Sequence, residues 1–156
     1  MDLNDFKRGF LNKNLISILS ECFKGAGNID IGKVKSLGWG GYALDDINIF
    51  DEDAVFLSMV MKSVDVSSVF LVRDIDIGIE NHKVECLVFD PEKKRLEEFQ
   101  KFDFHLELPL LDCVLFDEKF QFLIHRPASF DKDMMYFGPP AFLDVAVVGN
   151  GWRKIF

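Results

Sequence analysis

Apolar residues recur every three or four positions at the start of the chain. Leu3, Phe6, Phe10, Leu11, Leu15, Ile16, Leu19, Cys22 and Phe23 form one stripe. That period predicts an amphipathic helix over residues 3–24. Gly25-Ala26-Gly27-Asn28 ends it, because glycine accepts the left-handed backbone that closes a helix. Residues 29–41 read as a glycine-punctuated connector holding Trp39, and Tyr42, Leu44, Ile47 and Ile49 as an extended segment. Residues 54–61 are almost continuously apolar and follow Asp51-Glu52-Asp53. The run fits a short helix or a buried strand; the acidic lead, with Asp51 as its cap, favours the helix.

From Val66 onward the chain reads as strands, two of its segments with the period-two repeat of a half-buried strand. Residues 68–73 form one strand, and Ile75, Ile77 and Ile79 alternate with Asp74, Asp76 and Glu80 as another. Residues 84–89 and 96–99 flank a turn at 90–94. Phe102, Phe104, Leu106 and Leu108 alternate with Asp103, His105 and Glu107 until Pro109 stops the ladder. Residues 111–116 and 120–125 flank Asp117-Glu118-Lys119 as a hairpin, and Pro139-Pro140 opens a short helix reaching 148. A helix followed by hairpins implies an α+β domain over residues 1–156. Its N-terminal amphipathic helix packs on a mostly antiparallel sheet, with a short helix near the C-terminus.

Composition sharpens this picture in two ways. Seventeen phenylalanines supply core material that buries large areas at little rotamer cost. Against 18 Lys plus Arg stand 26 Asp plus Glu, a formal charge of -8. Such a field repels duplex nucleic acid, so direct nucleic-acid binding is not expected, and it attracts a basic partner. No stretch approaches the ~18 apolar residues of a membrane span. The odd set Cys22, Cys86 and Cys113 fits a reducing compartment, and Met1-Asp2-Leu3-Asn4-Asp5 lacks the basic start and apolar run of a signal peptide. A cytoplasmic location is expected.

Candidate chemistry is sparse. Asp103, His105 and Glu107 share a strand face and could ligate a metal. The same alternation serves any polar strand face, however, and no second cluster completes it. Asp74-x-Asp76-x-Gly78 fails as a calcium loop, since an EF-hand needs its glycine one position later and a glutamate where Glu85 lies in a strand. The Ile alternation explains these aspartates as a solvated strand face. His125-Arg126-Pro127 offers an anion site or acid–base group without a partnered nucleophile. Each cysteine sits among apolar neighbours as a structural thiol does. Gly38-Trp39-Gly40-Gly41 lacks the ending of a phosphate loop, and it either tucks Trp39 against the sheet or presents it to a partner. No catalytic residue, metal or cofactor is expected.

Three segments carry a family likeness: Val88-Phe89-Asp90-Pro91 with Leu96-Glu97-Glu98-Phe99, then Leu115-Phe116-Asp117-Glu118-Lys119-Phe120, then Tyr136-Phe137-Gly138 leading into Phe142-Leu143-Asp144. Over about the last seventy residues the chain resembles the small immunity proteins that bacteria carry beside contact-dependent and other polymorphic toxins. The resemblance implies a cytoplasmic, non-enzymatic protein that blocks a cognate toxin, commonly a basic nuclease, by covering its active site. Read with the charge pattern, it places the partner on Asp45, Asp46, Asp51, Asp53, Asp74, Asp76 and Glu80, with Trp39 or Tyr42 as anchor. Two alternatives are a small enzyme or ligand-binding domain with a pocket near His105 or His125, and a chaperone or adaptor for a secreted effector.

Overall fold

Residues 113–117 show how the layers are arranged. Cys113 and Leu115 pack into one apolar cluster, while Val114 and Phe116 pack into a second. Successive strand residues point to opposite faces, so this strand is covered on both sides. The structure, a computed structural model, describes residues 5–25, 27–46, 48–77, 83–100, 112–128 and 132–156.

Along the chain run β1 (Lys7–Phe10), α1 (Lys13–Glu21), α2 (Ile31–Ser36), β2 (Gly40–Leu44), α3 (Asp51–Ser63), β3 (Val69–Arg73) and β4 (Glu85–Phe89). They are followed by α4 (Lys93–Glu98), β5 (Cys113–Asp117), β6 (Leu123–Arg126), β7 (Met134–Gly138), α5 (Pro140–Ala146) and β8 (Trp152–Lys154). Among the described residues the strands form one eight-stranded sheet in the order β1-β4-β3-β5-β6-β7-β2-β8. Every neighbouring pair is antiparallel. The fold is α+β. No helix among the described residues is long and apolar enough to cross a membrane.

Helices α3, α4 and α5 cover one face through Leu57, Met61, Leu96, Phe142 and Leu143; α1 and α2 cover the other through Leu15, Leu19 and Val34. Phenylalanine fills both layers: Phe99, Phe122 and Phe142 lie fully buried in the first, Phe116 and Phe137 in the second. Each contributes roughly 1.5–3 kcal/mol by leaving water.

Several sequence expectations change here. The helix expected over 3–24 begins only at Lys13, because Asn12 caps it by accepting the Leu15 N–H, at 2.9 Å. Residues 7–10 instead pair with β4, so strand pairing overrides the local helical period. The connector 29–41 contains α2, capped by Asp30 accepting from the Lys33 N–H. Residues 54–61 lie within α3, although Phe50, not Asp51, occupies its cap position. Residues 96–99, expected as a strand, fall in α4 and its cap, where Lys93–Glu97 and Lys94–Glu98 pair one turn apart. The strand expected over residues 74–80 begins as a 3-10 turn at Asp74–Asp76. Its two aspartates are buried and Ile75 is exposed, the reverse of a solvated acidic face. The hairpin over 111–125 is present as β5 and β6, and α5 is followed by the further strand β8. The alternation at 102–108 lies outside the described residues.

Candidate functional site

The end of β2 runs into a series of acidic residues, and four other parts of the chain enclose it. Leu44 pairs with Met134 of β7 on one side and with Trp152 of β8 on the other. Tyr42, two residues back on the same face, pairs with Tyr136. Register therefore gathers Tyr42, Leu44, Met134, Tyr136 and Trp152 on the sheet face covered by α3 and α5. The first turns of α3 and the chain after α5 form the walls.

Between them lies a cleft of about 420 Å³. Leu44, Ile49, Leu57, Met134, Tyr136 and Trp152 supply its apolar and aromatic lining, and Asp46, Glu52 and Asp53 its acidic side. A shallower hollow shares Asp46, Glu52 and Asp53 and adds Phe50 and Asp51. Neither has a lysine, arginine or histidine among its described lining residues. Tyr136 senses the resulting potential: burial, and then the charges of Asp53 and Asp46, raise its phenol above the ordinary tyrosine value.

The rim continues as an apolar surface. Val55, Phe56 and Met59 face outward on α3 with 44%, 38% and 63% of their surface exposed, and Val148 beyond α5 is also exposed. Positions three and four apart share one helix face, so these residues and Glu52 form a single stripe. Carboxylates beside a large exposed apolar surface and an aromatic floor can receive a guanidinium or ammonium group, which gains from both charge and ring.

The expected contact residues separate in the structure. Asp45, Asp46, Asp51 and Asp53 are exposed at this end of the sheet, and Tyr42 is half-buried beside Tyr136. Asp74 and Asp76 do not join them. Asp76 is buried and accepts from Arg73 Nε and Nη2 at 2.7 and 2.9 Å, while Asp74 lies 2.8 Å from His125. Trp39 packs on the opposite cluster, stacked on Phe120 with centroids 5.2 Å apart. Glu80 and His105 lie outside the described residues. His125 lines a separate open groove with Ala43, Lys132, Asp133, Met135, Arg153, Lys154 and Ile155.

Trp152 was not singled out in the sequence, and Tyr136 entered only within the family likeness, not as a contact residue. Tyr136 is one aromatic among the apolar residues of β7 and Trp152 opens the short, charged β8, and the pairing that brings them to Leu44 spans most of the chain. Glu52, between two expected contact residues, completes the acidic side. The chain matches no protein-family model, no curated protein and no solved structure.

Proposed function

We propose that the chain is an inhibitory binding protein of the immunity class, acting in the cytoplasm without catalysis of its own. It receives a basic, nuclease-type toxin at the acidic cleft between β2, α3, α5 and β8 and covers that toxin's active site. One observation carries this reading: carboxylates, an aromatic floor and an exposed apolar stripe share one face, and no cation lines the cleft among the described residues.

Each part has a physical role in such a complex. A net charge of -8 steers a basic partner and raises its association rate. Asp46, Glu52 and Asp53 offer paired oxygens to an arginine or lysine that a nuclease would otherwise turn to phosphate. Phe56, Met59 and Val55 supply apolar contact that slows dissociation once water is excluded.

The test is capture of partners by the tagged chain from its own cells, with elution over a salt gradient and assay before and after release. A stoichiometric basic partner that is silent in the complex and active on release is the expected result. A partner that stays active in the complex would make the chain a chaperone or adaptor. Capture of no protein at any salt would remove the binding reading altogether.

A further inference from the structure

On the sheet face away from the acidic cleft, three elements bring together residues far apart in sequence. Asp74 follows β3, Asp112 precedes β5, and His125 lies in β6. Val72 pairs with Val114, which pairs in turn with His125, and the Asp74 N–H donates to the Asp112 carbonyl at 3.0 Å. Alternation then turns all three side chains to the side of α1 and α2. One ligand-type atom from each lies within 4.8 Å of the others. We infer that Asp74, Asp112 and His125 bind a divalent first-row transition-metal ion such as Zn²⁺.

A buried atom carries the inference beyond a mere cluster. Among the described residues Asp74 Oδ1 has no hydrogen-bond partner, and Asp74 and His125 are only 3% and 6% exposed. Among the described residues His125 is the only hydrogen-bond partner of the Asp74 carboxylate, which is therefore buried without a permanent cation. Such a group is costly, and a bound metal is one of the few partners that satisfies it. The 2.8 Å between His125 Nε2 and Asp74 Oδ2 suits a hydrogen bond. Neighbouring ligands of a tetrahedral ion with bonds of about 2.0–2.2 Å stand roughly 3.3–3.6 Å apart, so an ion entering here would replace this hydrogen bond and open the pair by about half an ångström. One imidazole with carboxylates suits Zn²⁺ or Mn²⁺ better than the all-oxygen preference of Ca²⁺ or Mg²⁺.

Lys132 provides the discriminating feature. Its ammonium lies 2.8 Å from Asp112 Oδ2 on a side chain that is 58% exposed, and the Ala128 N–H donates to Asp112 Oδ1 at 2.8 Å. Burial alone would raise the Asp112 carboxyl; Lys132, Ala128 and His125 together hold it below its ordinary value. A divalent ion would take the place of the Lys132 ammonium on Asp112; Lys132 and His125 line the same groove. Lys132 is therefore a competitor of the metal.

The test uses the full chain, stripped with chelator and titrated with zinc, followed by calorimetry and thermal unfolding. Circular dichroism checks the fold of each variant. The wild type is expected to bind one equivalent and to melt higher as zinc is added. His125→Gln and Asp112→Asn are each expected to lose at least ten-fold in affinity, and the surface variant Lys132→Met to gain several-fold. No zinc-dependent change up to millimolar concentration would overturn the site. So would zinc binding that survives both ligand substitutions unchanged, or Lys132→Met binding no more tightly than wild type.

Discussion

The indole of Trp152 stands edge-on to the ring of Tyr136, with centroids 4.9 Å apart and planes at 70°. Its Nε1–H donates to the Val148 carbonyl at 3.1 Å, which fixes the indole against the chain beyond α5. Through these contacts β7, β8 and the segment after α5 form one side of the acidic cleft. Trp152→Ala is expected to weaken partner binding by about 10-fold or more, as loss of a central aromatic anchor does. Titration calorimetry with the captured partner checks this, and a cooperative melt of the variant separates lost contact from lost fold.

Gly41 tests the register that builds the cleft. A Cβ at this position would stand 2.8 Å from two carbons of the Phe137 ring and 2.9 Å from the Phe156 ring. Both rings pack in the cluster on the α1 and α2 side, so neither moves freely. Gly41→Ala is expected to destabilise the protein by about 1–3 kcal/mol through overpacking. The midpoint of urea unfolding reads that loss directly.

Acid should weaken the fold partly through Glu118. Its carboxylate accepts the Ser67 hydroxyl at 2.6 Å and the Ser68 N–H at 3.2 Å. Burial raises its carboxyl, but the Ser67 hydroxyl and backbone N–H groups outweigh burial and hold it below the ordinary value. A folded-state value below that of the unfolded chain means protons bind the unfolded state more readily. The contribution is therefore complete above about pH 5 and is lost as pH falls through and below about 4. Glu118→Gln is expected to flatten the acid limb of a stability–pH curve measured by urea unfolding, while lowering stability at neutral pH.

The cysteines should be silent. Cys22, Cys86 and Cys113 are all free and buried. Burial pushes the Cys22 and Cys113 thiols up to about 11, leaving little thiolate at neutral pH. A chromogenic thiol reagent is expected to label none of them in the native protein and all three in denaturant. Rapid native labelling would mean that the helices over the sheet open easily.

These particulars show which parts of the molecule are legible in its sequence. The hairpin of β5 and β6 is legible because its two apolar runs and the Asp117-Glu118-Lys119 turn between them are local. The start of α1 is not, since Lys7–Phe10 join an edge of the sheet through pairing with residues almost eighty positions away. At Asp74 and Asp76 a period-two pattern suggested an exposed face. Burial there depends on Arg73 as partner to Asp76 and on distant His125 as partner to Asp74. The acidic part of the cleft was visible as the sequence clusters at 45–46 and 51–53. Its aromatic floor was not, because Tyr136 and Trp152 reach Leu44 only through long-range strand pairing.

The most direct measurement compares the wild type with the triple variant Asp46→Lys, Glu52→Lys, Asp53→Lys, capturing partners side by side from the same lysate at low and high salt. All three positions are exposed, but Glu52 and Asp53 sit in the first turn of α3, where lysine opposes the helix dipole, so circular dichroism and a melt first establish that the variant keeps the native fold. Binding through the acidic cleft predicts that the wild type retains a basic protein at low salt and that the variant loses at least 10-fold of it, with a slower association rate. Equal retention of that partner by a folded triple variant would contradict the account.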